Sequence, residues 1–452
     1  MSRVDRALGS PLLQPLRTRD YRLLVFGALV SLLGDGFYFV ALAWQVYDIS
    51  NVPTALSIVS AAAAIPMVGL LLVGGALSDR FDRRLLMIGA DLLRAGAIGT
   101  MAVLSIAGVI ELGHIVVLVL FVGAGHAFFN PASTAILPDL LEERQLPAAN
   151  ALAGVYRPIV LRLAGPALAG LVVAVGGSGW AFAFDAATFV VSAIAVAMIR
   201  ARPARRPSED HRPGRMLRDV REGLGYVRSQ PWIWATLVAA MLSLLVFIGP
   251  LDVLVPYLVR NRLQLGPDSL GAIFAAGGVG GIVMAVLIGN LGQPRRRVTV
   301  MYAAWSGGVA LMAVYGVMTE LWQALLASAV VNALFELGSV IWMTLLQQRV
   351  PRELLGRVSS VDWLMSSGLT PISFALTGPA AAAFGPEATI IGASLAGAVL
   401  MGALLFVPGV RDPERVEAAP AEDPAAARRP TGPTGSPGCR EGPRGGRRSR
   451  RA

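Results

Sequence analysis

Cysteine is nearly missing from this 452-residue chain, and lysine is missing altogether. The one cysteine, Cys439, excludes an intrachain disulfide and any thiolate-based metal site, and three histidines offer little in exchange. No metal and no cofactor is therefore expected. There is no Gly-x-x-x-x-Gly-Lys phosphate loop, so ATP is not a direct energy source. No nucleophile, base and metal ligands are grouped as an enzyme would need. Charge is also scarce. Only 15% of residues are charged while 55% are hydrophobic, and mean hydropathy is +0.62. A chain whose charges had to cover a water-facing surface would carry more of them.

What the chain has instead is apolar length. Stretches of about 20 residues, each enough to cross a hydrocarbon core of roughly 30 Å, recur at 22–46, 54–77, 85–107, 115–137, 151–175 and 181–199. Six more follow at 232–257, 269–291, 299–318, 323–346, 359–382 and 389–408. Inside lipid only helices satisfy so many backbone groups without closing a sheet. The expected fold is an all-α membrane protein with twelve transmembrane helices.

Arginine placement orients it. Of the net charge of +10, much sits on alternate connections: Arg80, Arg83 and Arg84; Arg144; Arg200 to Arg228; Arg295 to Arg297; and Arg349, Arg352 and Arg357. The connections on the other side hold only Arg260 and Arg262. The positive-inside rule then predicts cytoplasmic termini and an even span count. No basic groove interleaves with exposed aromatics, so nucleic acid is not an expected partner. The charges from Arg3 to Arg22 and the long first apolar run are unlike a cleaved signal peptide.

The expected organisation is a cytoplasmic segment at 1–21, a six-helix bundle at 22–199, a basic linker at 200–231, a second bundle at 232–408, and a disordered Arg/Pro/Gly-rich tail at 409–452. Within the linker, Met216, Leu217, Val220, Leu224 and Val227 share one helical face among charged neighbours. That is the pattern of an interfacial helix resting on the anionic inner leaflet.

The halves repeat. Residues 158–167 (Pro-Ile-Val-Leu-Arg-Leu-Ala-Gly-Pro-Ala) read against 371–380 (Pro-Ile-Ser-Phe-Ala-Leu-Thr-Gly-Pro-Ala), an offset of 371 − 158 = 213. The same offset pairs Pro138 with Pro351, Arg144 with Arg357, and Arg83-Arg84 with Arg296-Arg297. Two groups of six spans in one orientation form the parallel repeat of a transporter that rocks about a central site.

The connection between spans two and three reads Gly75-Ala76-Leu77-Ser78-Asp79-Arg80-Phe81-Asp82-Arg83-Arg84. It resembles the loop signature of the major facilitator superfamily, Gly-x-x-x-Asp-Arg-x-Gly-Arg-Arg/Lys, with Asp82 at the second glycine. If that position needs a positive φ, Asp is less tolerant of it than Gly. The resemblance implies a gate latch in which Asp79 and Arg80, backed by Arg83 and Arg84, engage a facing helix end near Asp362. The plainer reading is that these charges only hold the loop inside. The second-half loop, Gly292 to Arg297, lacks the Asp-Arg pair.

Span five carries Arg162-Leu163-Ala164-Gly165-Pro166-Ala167-Leu168-Ala169-Gly170, which resembles the Gly-Pro-x-x-Gly-Gly signature of drug:proton antiporters. Close helix packing explains the same small residues equally well. Leu16 to Arg22, Gly34-Asp35, Phe128 to Ala132, Ala149 to Leu152 and Phe184 to Phe189 are similar to the branch that includes macrolide-type efflux pumps and the enterobactin exporter.

Ionisable residues inside spans are functional candidates because an unpaired charge in lipid is costly. Asp35, mid-span one, is the first candidate for proton coupling, and Glu336 in span ten is the second-half candidate. Asp91 and Arg94, three apart, can pair on one helix face and need no further role. Arg157 and Arg162 are five apart, about 140° around an α-helix, so they are not expected to face one partner together, and at least one is expected to face the cavity. His126 is expected to pack between helices rather than carry protons, and Asp185 and Asp252, toward the outer ends of their spans, to be solvated or to pair with a neighbouring helix rather than to couple. Gly277, Gly278, Gly280 and Gly281 sit in an apolar span and read as packing glycines.

The expectation is a monomeric, multi-pass protein of the bacterial plasma membrane, working as an antiporter. It would move a bulky, partly apolar small molecule out by alternating access, driven by protons. An uptake permease of the same fold, or a non-transporting scaffold or sensor, is the alternative.

Overall fold

The computed structural model describes residues 11–200 and 215–414, and every regular element among them is helical. The first half comprises α1 (Arg19–Ile49), α2 (Pro53–Gly69, continuing as Leu71–Arg80), α3 (Arg83–Ile106), α4 (Leu112–Ala135), α5 (Leu146–Pro158, a π-helical stretch Ile159–Ala164, then Gly165–Gly176) and α6 (Ser178–Ala197). A linker helix, Arg215–Ser229, follows. The second half comprises α7 (Pro231–Asn261), α8 (Pro267–Leu291), α9 (Arg297–Leu311, then Val314–Val317), α10 (Leu321–Arg349), α11 (Arg352–Ser367, then Thr370–Phe384) and α12 (Pro386–Ala403).

Ten of these, all but α2 and α11, are long and apolar enough to cross a membrane. Both exceptions are broken in two. α2 contains Pro66 and loses regularity at Leu70, and α11 is interrupted just before Pro371, which cannot donate to the preceding turn. Helix starts carry the expected signals: Glu111 with His114 and Glu320 with Gln323 form capping boxes at α4 and α10. The sharp turns from α5 to α6 and from α11 to α12 use Gly177 and Gly385 at φ +83° and +85°.

Outward-facing positions are apolar. Val103 on α3 is 67% exposed and Val399 on α12 is 68% exposed, which suits lipid as the surrounding solvent. Inside, three apolar cores form. One is shared by both halves and includes Tyr47, Phe182, Val253 and Leu258. The others belong to one half each: Tyr21, Met87 and Ile136 in the first, and Trp232, Tyr302 and Trp342 in the second. The halves are thus fused near one face and separately packed near the face that carries the chain ends.

At the fused face, α1 and α7 are tied side by side. Tyr47 donates to the Val253 carbonyl at 2.6 Å, Asn51 and Asn261 exchange amide hydrogen bonds, and Arg260 pairs with Asp48 at 2.5 Å while its guanidinium lies over Trp44. Two glycine crossings flank this tie, related by the sequence repeat. A Cβ on Gly271 of α8 would stand 2.4 Å from the Pro166 carbonyl of α5, and one on Gly378 of α11 would stand 2.8 Å from Thr54 Cα of α2. The Gly378 N–H donates to Ser57 at 3.0 Å, and Ser57 in turn donates to the Phe374 carbonyl.

The linker helix packs against the second half. Val227 is buried in the second half's own core, Glu222 pairs with Arg357 of α11, and Leu224 is exposed. The side chains of Met216, Leu217 and Val220 lie outside the described residues. The tail starts later than expected: Glu414 accepts hydrogen bonds from the Thr299 N–H and hydroxyl at the start of α9, and Arg349 donates to the Pro413 carbonyl. The remaining calls on 1–10, 201–214 and 415–452 lie outside the described residues.

Candidate functional site

Between the two halves lies a cavity of about 700 Å³, a size that suits a drug-sized molecule. From the first half it is walled by α1 (Asp35, Tyr38, Phe39), α3 (Arg94), α4 (His126, Phe129) and α5 (Arg157, Arg162). From the second half come α7 (Leu251, Asp252, Val255), α8 (Phe274), α10 (Asn332, Phe335) and α11 (Phe374). Apolar and aromatic groups make up most of the surface, with the charges confined to a few positions.

Asp35, in the middle of α1, lines this cavity with its side chain 15% exposed. His126 of α4 stands opposite, its Nε2 3.8 Å from Asp35 Oδ1. The other imidazole nitrogen, Nδ1, is 3.3 Å from Arg94 Nη1. A guanidinium only donates, so Nδ1 is the acceptor and Nε2 carries the proton that faces Asp35. The sequence offers no signal for these approaches of His126 to Arg94 and Asp35.

Arg94 is held firmly. It pairs with Asp91 one turn earlier on α3, as their spacing predicts, and both side chains are almost fully buried. Its guanidinium lies 4.6 Å from the Phe129 ring centre and 4.1 Å from that of Phe189, an arrangement that stabilises a cation away from water. The pair is therefore structural and also supplies the cavity wall with its anchored donor.

Of the two roles expected for Asp185, the solvated one fails: it is fully buried on α6. Room for it comes from α1: a Cβ on Gly34 would stand 2.2 Å from Asp185 Oδ1 and 2.1 Å from the Thr188 hydroxyl. Thr188 donates to the Asp185 backbone carbonyl at 2.7 Å and reaches Oδ1 at 3.3 Å. Asp185 Oδ2 and the Tyr38 hydroxyl are buried without hydrogen-bond partners among the described residues. Asp35, Asp91 and Asp185 thus all lie in the field of the single buried guanidinium of Arg94.

Asp252, expected toward the outer end of its span with access to water, has an exposed side chain that opens onto the central cavity from α7, and it has no hydrogen bond or ion pair among the described residues. On the opposite wall both Arg157 and Arg162 face the cavity. An α-helix would point them apart; the π-helical stretch Ile159–Ala164, bracketed by Pro158 and Pro166, brings them to one side because its i→i+5 pairing widens the turn. The span-five glycines sit at helix crossings: a Cβ on Gly165 would be 2.8 Å from Gly36 Cα, and one on Gly170 would be 2.7 Å from the Pro267 carbonyl.

The gate motif lies at the face with the chain ends. Gly75 is half-buried, and the side chains of Asp79 and Arg80 lie outside the described residues. Arg83 pairs with Asp139 of the same half, and Arg84 donates to the Ala197 carbonyl at 2.9 Å. Asp82, at the glycine position of the motif, has φ −59° and caps α3 by accepting from the Arg84 N–H at 2.9 Å. No positive φ is needed, and the departure from glycine adds an N-cap. Asp362 faces the Trp342 indole in its own half. Glu336 is half-buried on α10 and is not among the cavity-lining residues, although its neighbour Phe335 is. Among the described residues, no group of three or more His, Cys, Asp or Glu is placed to hold a metal.

Comparison with known proteins places this arrangement. The family described as transmembrane secretion effector, of the major facilitator superfamily, matches residues 10–427. The multidrug efflux pump Tap of Mycolicibacterium fortuitum is 27% identical over 401 residues, which is 86% of this chain and 96% of that protein. Macrolide efflux protein A of Streptococcus pyogenes is 24% identical over 356 residues, 78% of this chain and 86% of that one. Among solved structures, a bacterial homologue of the iron transporter ferroportin in an inward-facing state has a TM-score of 0.66 over 86% of this chain and 98% of its own. At 16% identity that likeness speaks to the fold alone. The chain belongs to the transmembrane secretion effector family of major facilitator transporters and is a multi-pass protein of the cell membrane.

Proposed function

We propose, from that membership, that this chain exports a bulky, partly apolar small molecule in exchange for protons by rocking two six-helix halves about the central cavity. The observation that carries the reading is the 700 Å³ cavity between the halves with Asp35 on its wall. The efflux activities named for its relatives favour export over uptake. Counting the broken α2 and α11 as crossings gives twelve spans, and the arginine-rich connections then put both termini in the cytoplasm. With the fused face outside, the described form is the inward-facing one, loaded from the cytoplasm.

Coupling follows from charge. Asp35 lies in the field of Arg94, which it shares with two other carboxylates, and in that of Arg157, and an uncompensated negative charge at this depth is costly. A proton on Asp35 removes that charge. Its release, timed with substrate entry, would give the two conformations the different affinities a coupled cycle requires. Asp79, Arg80 and Asp362, with Gly75, Arg83 and Arg84 around them, would latch the cytoplasmic face when it closes. Glu336, placed off the cavity, has less support than Asp35 as a coupling group.

The test is proton movement. Inverted vesicles holding the protein and a pH-sensitive dye are given dyes, macrolides and siderophores in turn. Substrate-dependent proton release is expected, and Asp35→Asn should abolish it while substrate binding persists. Undiminished active transport by Asp35→Asn would remove that residue from the mechanism, and silence across the whole panel with folded protein would remove the exporter.

A further inference from the structure

Among the described residues, Asp252 is the one acidic side chain that the second half presents to the cavity, and no hydrogen bond or ion pair neutralises it. Its side chain is exposed to the cavity, where a carboxylate without a counter-charge is open to a cationic partner. Its backbone adds to the effect. Pro256, four residues on, has no N–H, so the Asp252 carbonyl lacks its regular helical donor. Carboxylate and carbonyl together make a place on α7 suited to a hydrogen-bonding cation. The facing wall carries Arg157 and Arg162, which repel a cation and so direct it to α7. Phe274, Phe335 and Phe374 supply apolar surface on the same half.

We infer that Asp252 is the docking point for the protonated amine of the substrate, and that the cavity selects compounds joining one ammonium group to a bulky apolar or aromatic body. The inference rests on the transport reading for its purpose, but it concerns binding alone. The amine hydrogen-bonds to α7, the apolar body lies along the second half, and Asp35 remains across the cavity for the proton. Substrate charge and coupling charge are thereby held on different halves, and each can be altered without the other.

The experiment uses the full chain in lipid nanodiscs with two fluorescent probes of nearly equal size, dansylcadaverine and its uncharged N-acetyl derivative. Wild-type protein should bind the amine about tenfold or more tightly than the acetylated form, as expected for one ion pair in a partly hydrated site. Asp252→Asn should remove that preference and leave the acetylated probe unchanged, and Asp252→Glu should restore it. Asp35→Asn should keep the preference while losing proton release, so the two readings fail separately. Equal binding of the two probes by wild type, no binding of either, a preference that survives Asp252→Asn, or parallel loss of both probes in that variant would each overturn the assignment.

Discussion

Tyr47 is the member of the α1–α7 tie whose loss should move the molecule most. Its side chain is 1% exposed, its hydroxyl donates to the Val253 carbonyl at 2.6 Å, and its ring meets Tyr257 edge-on with centres 5.6 Å apart. Tyr47→Phe keeps the ring and deletes only the donor. The Val253 carbonyl still has a helical partner, so the loss is one net hydrogen bond, about 1 kcal/mol, rather than the larger penalty of an orphaned group. Because the bond exists only while the halves touch here, the whole effect enters the equilibrium between the two openings, about fivefold toward the form open at this face. The Arg260–Asp48 pair is 27% and 45% exposed, and screening with side-chain entropy leaves such a pair about 0.5 kcal/mol or less. Asp48→Asn should therefore shift the equilibrium by about twofold at most. Spin labels on Val52→Cys and Thr319→Cys, with Cys439→Ser to clear the background, report the two populations as two distances. No shift with Tyr47→Phe, or an equal shift with Asp48→Asn, would refute the reasoning.

Gly271→Val forces a side chain against backbone of α5 on two sides, 2.4 Å from the Pro166 carbonyl and 3.1 Å from Gly170 Cα; the same distance measurement should show a larger shift than Tyr47→Phe, with transport reduced. Arg94→Met leaves Asp91 buried without its cation, a loss of about 3–5 kcal/mol. Thermal unfolding should show Arg94→Met well below wild type and the double variant Asp91→Leu/Arg94→Met recovering much of the difference. Asp82→Ala removes the cap on the Arg84 N–H and should cost about 1 kcal/mol, whereas Asp82→Gly should cost only a few tenths; amide exchange in the first turn of α3 distinguishes them.

The helical architecture was legible because lipid demands it: apolar runs, arginine-rich turns and the 213-residue repeat follow from solvent and topology alone. Asp91 with Arg94 was legible because a helix brings residues three apart together. Asp185 was not, because its burial depends on the missing side chain of Gly34 on another helix. Arg157 and Arg162 misled the α-helical wheel, since the two flanking prolines replace one α-helical turn with a π-helical one. For Asp252, counting along the span gave access to water but not the central cavity it opens onto. α7 runs on to Asn261, so the residue lies deeper than the apolar run suggests. Linear spacing reports what one helix does; the site is a property of where several helices cross.

The helix that joins the halves is not neutral ground. With Val227 in the second half's core and Glu222 paired to Arg357, it travels with that half as part of its mass. A binder that grips the exposed side of this helix would take hold of a single lever arm, and one bridging it to α3 would act as a brake.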